Sequence, residues 1–190
     1  MRGESDETGA QGGTQGTRRG FEVRHRDGVM GPLPQPSARD YVLAILGAEP
    51  ERPVRGTLML VKLAFIAAKE IDRRADALME FFPFDYGPYS KVLAQTVNQL
   101  IREGLVIPSS HLSEMGGERT EYRLTAAGKA AAEEATKALG PDIAERLRKL
   151  RRGADQLGYG GILRHVYTRY PEYASASKIR EEVMADRYRY

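Results

Sequence analysis

Residues Phe81 to Glu134 constrain the fold of this 190-residue chain more than any other stretch. Tyr86-Gly87-Pro88-Tyr89 reads as a turn. Pro88 suits the first position of a helix, where its missing N–H costs nothing and its fixed φ is already helical, which makes Gly87 the expected N-cap. The helix predicted from Pro88 to Arg102 is amphipathic. At about 100° per residue, Leu93, Val97, Leu100 and Ile101 share one side, while Lys91, Gln95, Asn98 and Arg102 gather on the other. Gly104 supplies a left-handed stop.

Beyond that stop, Leu105-Val106-Ile107 begins a strand that Pro108 is expected to interrupt. Residues 109–119 are polar, with Gly116-Gly117 as the reversal, and Tyr122-Arg123-Leu124 returns as the partner strand. Thr125 reads as the N-cap of an Ala-rich helix that Gly140-Pro141 closes. Turn, helix, strand, hairpin tip, strand and helix, in that order, specify a winged helix. The expected class is mainly α with a small β-hairpin: a winged helix-turn-helix over residues 38–139, followed by a C-terminal helical extension over 140–190.

Residues 1–37 hold almost no apolar side chains before Phe21 and cannot repay the entropy of ordering, so they are expected to be a disordered tail. Arg18, Arg19, Arg24 and Arg26 make it either a basic arm or a solvated segment, and Met30 is an alternative start. Ser37 is the expected N-cap of a first helix whose Tyr41, Val42, Ile45 and Leu46 face inward, with Gly47 as its stop. After a Pro-rich loop, residues 57–78 read as one long second helix with Leu58, Val61, Phe65, Ala68 and Ile71 buried. On it, Lys62 is either an exposed point on the outer face or a cation for a partner. Phe81, Phe82, Phe84, Tyr86 and Tyr89 are expected to plug the space between the second and third helices, with base stacking as the alternative.

In the extension, Ile143, Leu147 and Leu150 read as inward. Arg146, Arg148, Lys149, Arg151 and Arg152 read as mostly outward, either a patch for phosphate or an acidic partner or a solvated face. Gly158, Gly160 and Gly161 follow a helix instead of a strand, so they mark a helix break and not a dinucleotide site.

Several functions lack their chemistry. The absence of cysteine excludes disulfides and thiolate metal sites. No apolar run reaches the roughly 18 residues of a membrane span, and the N-terminus has no signal-peptide core, so a soluble, cytoplasmic protein is expected. A formal charge of +3 permits a nucleic-acid partner without demanding one. His25, His111 and His165 stand at no metal-ligand spacing, and HExxH, a phosphate loop and a nucleophile elbow are all missing. No enzyme activity, metal or cofactor is expected.

Glu103-Gly104, Leu105-Val106 and the run Tyr122 to Lys129 resemble PadR-like and MarR-like regulators. More narrowly, Val61 to Ala67, Phe84 to Ser90 and Val166 to Tyr173 resemble the YwgA-like proteins, which are similar to the Panacea domain of SocA-type antitoxins; that likeness spans about residues 39–184. The YwgA-like side implies a transcriptional regulator, and the Panacea side implies direct contact with a toxin. The helices past Gly140 resemble the arm through which PadR-like and MarR-like proteins pair, which implies a homodimer. Ser90, Lys91, Gln95, Asn98 and Arg102, with Arg119 from the wing, are the candidate contacts to double-stranded DNA. Tyr86, Tyr89, Arg148, Arg151 and Arg152 are the candidate surface for a toxin or other protein partner.

Overall fold

The computed structural model describes residues 35–112 and 118–185. Residues 1–34 of the expected tail, with its arginines, His25 and the Met30 start, lie outside them, as does the Gly116-Gly117 reversal. The chain is mainly α with a small antiparallel β component.

Ser37 starts α1 (Ala38–Gly47) through a capping box: its hydroxyl accepts from Asp40 N–H, and its own N–H donates to the Asp40 carboxylate at 2.8 Å. Tyr41 to Leu46 are all buried, so α1 is a central helix with no broad solvent face. A short strand, β1 (Val54–Arg55), leads into α2 (Thr57–Ile66).

The single long helix expected from 57 to 78 is divided. After α2 the backbone widens into a π-helical turn, Ala67–Ile71, and stops at Asp72, where φ is −145° and ψ is 107°. Asp72 caps α3 (Arg73–Met79) by accepting from Arg74 N–H, and the Tyr41 hydroxyl donates to its Oδ2 at 2.5 Å. An Asp with those fixed partners favours a new helix start over continuation.

The turn before the amphipathic helix also differs from the expected N-cap. Gly87 and Pro88 lie in a hairpin of β2 (Phe82–Phe84) and β3 (Gly87–Tyr89), in which Pro83 faces Pro88. Gly87 has φ +87°, and a Cβ there would stand 2.7 Å from the Tyr167 ring. The N-cap is therefore Ser90, and the amphipathic helix is α4 (Lys91–Arg102).

The wing is β4 (Val106–Leu112) and β5 (Glu118–Leu124), in a sheet of order β1-β5-β4. Pro108 does not interrupt it. It sits opposite Tyr122 on β4, an edge strand that tolerates a missing N–H. Thr125 caps α5 (Ala126–Leu139), its hydroxyl accepting from Gly128 N–H at 3.0 Å. Pro141 then opens α6 (Pro141–Arg169), which bends at Gly158 (φ 66°), as the glycine cluster predicts; α7 (Pro171–Ala174) and α8 (Arg180–Met184) end the described chain.

One core joins these elements. Leu147, Leu163, Val166 and Tyr167 of α6 are buried in the same cluster as Tyr41 and Ile45 of α1 and Leu63 and Phe65 of α2. Each such side chain contributes about 1.5–3 kcal/mol on burial, so α6 helps to hold the helical scaffold. Among the described residues, no helix is long and apolar enough to cross a membrane.

Candidate nucleic-acid interface

The side of α4 that Leu93, Val97 and Leu100 do not bury is its free face. Lys91, Gln95, Asn98 and Arg102 are all exposed there, as the periodicity predicts. Lys91 and Arg102 form no ion pair among the described residues. The nearest acid in sequence, Glu103, is occupied: Arg39 bonds its carboxylate and Gln99 donates to it at 2.8 Å, and these partners hold it below the usual carboxylate range. The stripe thus presents cationic and amide groups without a competing carboxylate of its own. Ser90 does not belong to it. Its side chain is fully buried, with Oγ donating to the Met79 carbonyl and accepting from Leu93 N–H at 2.9 Å.

Lys62 fixes where this helix begins. Lys62 is neither an exposed point on the outer face nor a cation open to a partner: it is 1% exposed, and its Nζ donates to the Pro88 carbonyl at 3.0 Å. The bond ties α2 to β3, two residues before the α4 cap. Burial pushes the ammonium pKa down to about 7. The reason for the correction is crowding: α2 is packed on nearly every side, so even its one cation is enclosed.

The aromatic residues divide into two groups. Only Phe81 plugs the interior, meeting Phe65 edge-on at 5.2 Å; Tyr170 and Tyr173 complete that cluster at 5.0 and 4.8 Å from Phe65. Phe82, Phe84 and Tyr89 instead pack on one another across the β2-β3 hairpin, with Phe84 48% and Tyr86 41% exposed. A two-stranded hairpin has one face too many for a plug, so its aromatics pair among themselves. Lys178 anchors the hairpin from the C-terminal side with a 2.5 Å ion pair to Asp85.

The basic run of α6 is not one outward patch. Arg146 donates to the carbonyls of Glu70 and Ile71, ending the π-helical turn. Arg148 pairs with Glu145 at 3.0 Å, and Arg152 with Glu49 at 2.7 Å. Arg151 points inward, 2% exposed, and donates to the Arg52 carbonyl at 3.1 Å. Arg146, Arg151 and Arg152 stitch the extension to the rest of the fold, whereas the Arg148 pair stays within α6, and burial removes Arg151 from any protein-partner surface. Tyr86 and Tyr89 remain on the hairpin.

Arg119 stands on β5 with Arg123 on the same face, since Tyr122 and Leu124 between and beyond them turn into the core. It lines a cavity with Arg55, Arg123 and Arg151. The alternation Arg119, Glu121, Arg123 was the signal available for this cluster. His165 Nε2 lies 2.8 Å from Glu70 Oε1, which also accepts from the Tyr170 hydroxyl at 3.1 Å. Among the described residues no group of His, Asp and Glu is arranged to hold a metal ion. Comparison with protein-family models and with curated proteins finds no match for this chain.

Proposed function

We propose that this chain is a non-enzymatic, DNA-binding winged-helix protein, a transcriptional regulator in which α4 enters the major groove. The observation that carries the reading is the exposed stripe Lys91, Gln95, Asn98 and Arg102, free of acids and mounted on a helix whose other face is buried. Gln95 and Asn98 have the amide geometry to pair with adenine, and Lys91 and Arg102 can donate to guanine or to phosphate. Buried Ser90 and Lys62 preorganise the helix from its N-terminal end. A palindromic operator would be read by two chains. The test is a salt-titrated shift assay of the full chain on the DNA upstream of its own gene, with Lys91→Ala and Arg102→Ala alongside the wild type.

One observation favours a second reading, a protein-interaction module such as a Panacea-type antitoxin. Phe84 and Tyr86 are exposed at the tip of an aromatic hairpin. That reading predicts a stable complex with the product of a neighbouring gene, lost in Phe84→Ser/Tyr86→Ser. Capture of this chain alone, beside no toxin gene, would count against it.

A further inference from the structure

The arginines that the wing and α6 bring together form a pocket that DNA recognition by α4 does not use. Its volume is about 680 Å³, within the range of small-molecule sites. Five guanidinium groups line it: Arg52 and Arg55 beside and within β1, Arg119 and Arg123 of β5, and Arg151 of α6. The strand register explains the grouping, because Arg55 lies opposite Glu121, between Arg119 and Arg123 on the outer face of β5.

Each nearby acid is already engaged. Glu121 bridges Arg55 at 3.1 Å and Arg123 at 3.3 Å, which orients both forks. Glu51 pairs with Lys129 at 2.6 Å, and Asp155 lies 3.3 Å from Arg52 and 3.9 Å from Arg151. Arg52, Arg55, Arg123 and Arg151 thus share two carboxylates, Asp155 and Glu121, which leaves an excess of positive charge at the cavity. The decisive group is Arg151. Its side chain is 2% exposed, its terminal nitrogen meets the Arg52 carbonyl, and its Nε–H has no hydrogen-bond partner. A buried guanidinium this sparsely paired keeps its positive charge at the cavity's inner wall. Met59 and Tyr159 give the same cavity an apolar wall.

We propose that this cavity binds a small phosphorylated molecule, its phosphomonoester held by Arg55, Arg123 and Arg151 and its body against Met59 and Tyr159. Several converging guanidinium forks match the multiple acceptor oxygens of a phosphate better than the two of one carboxylate. The site joins the wing sheet to α6 beside the Gly158 bend, so its occupant bridges the wing and the extension. The inference stands apart from the reading of α4.

Calorimetric titration of the full chain tests it, with adenosine 5′-monophosphate, inorganic phosphate, adenosine and a DNA duplex as probes. The expected result is saturable binding of the nucleotide, competed by inorganic phosphate and absent for adenosine. Arg55→Gln and Arg123→Gln, both at exposed positions, should each weaken it about tenfold or more, the effect of removing one charge-assisted contact. Lys91→Ala/Arg102→Ala should leave it unchanged, so failure of the DNA reading and failure of this one are distinguishable. Three outcomes would overturn the proposal: neither phosphate probe binds, binding survives undiminished in Arg55→Gln/Arg123→Gln, or only duplex binding responds to those substitutions.

Discussion

Replacing Lys62 by Met tests whether an enclosed cation sets the pH dependence of this fold. Lys62 in the folded chain has a pKa near 7, against 10.5 when exposed, with burial as the cause. Unfolding therefore takes up a proton between those values, and stability rises with pH across that window. Below pH 7 both states are charged and the full penalty is present: the gap of 3.5 pH units is about 5 kcal/mol at 1.36 kcal/mol per unit. Between pH 7 and 9 the native chain should gain about 2 kcal/mol from this residue alone. Lys62→Met removes the charge but leaves the Pro88 carbonyl without its donor, a loss of about 1–2 kcal/mol. The variant should thus be more stable than the wild type by roughly 3 kcal/mol at pH 6 and about equal to it at pH 9. Urea unfolding at pH 6, 7, 8 and 9 measures this directly. The series stops below pH 10 because Tyr41, raised by burial and by Asp72, stays protonated in the fold and reverses the trend as the unfolded chain ionises. Equal pH slopes for variant and wild type would refute the reasoning.

Two further substitutions probe how α4 and the wing are seated. Ser90→Ala removes both the cap of α4 and the bond to the Met79 carbonyl; a loss of about 1–2 kcal/mol is expected in chemical denaturation. A neutral result would show that the cap does not position the helix. Gly128→Ala would place a Cβ 2.0 Å from the Leu105 carbonyl oxygen, where α5 crosses the start of β4. Overpacking against backbone should cost about 3 kcal/mol or more, and an unchanged thermal midpoint would contradict that contact.

Local chemistry made much of the fold legible. Ser37, Thr125 and Gly140 end or begin helices where their side chains or lack of one require, and the stripe on α4 follows from period alone. Features that depend on distant partners were not legible. Asp72 breaks a helix because Tyr41 reaches it from α1, and Pro88 enters a strand because Pro83 and Phe84 return alongside it. Arg151 reads as a surface cation because it stands in a basic run of a polar helix, and Lys62 because a lone cation on an apolar helix ordinarily marks its solvent edge; only packing of β3 on α2, and of the loop before β1 on α6, buries them. Ser90 is ambiguous in the sequence for a related reason: a polar residue at a helix start serves equally as cap or contact, and only its burial against Met79 and Leu93 decides for the cap.

The salt dependence of duplex binding tests the role of α4 most directly. For the wild type, the logarithm of the binding constant should fall linearly with the logarithm of salt concentration. If Lys91 and Arg102 each neutralise a phosphate, Lys91→Ala/Arg102→Ala should flatten that slope by about 1.8, the loss of two counterion-releasing contacts. A slope identical to the wild type's, or no duplex binding at any salt concentration, would contradict the assignment of α4 as a DNA-reading helix.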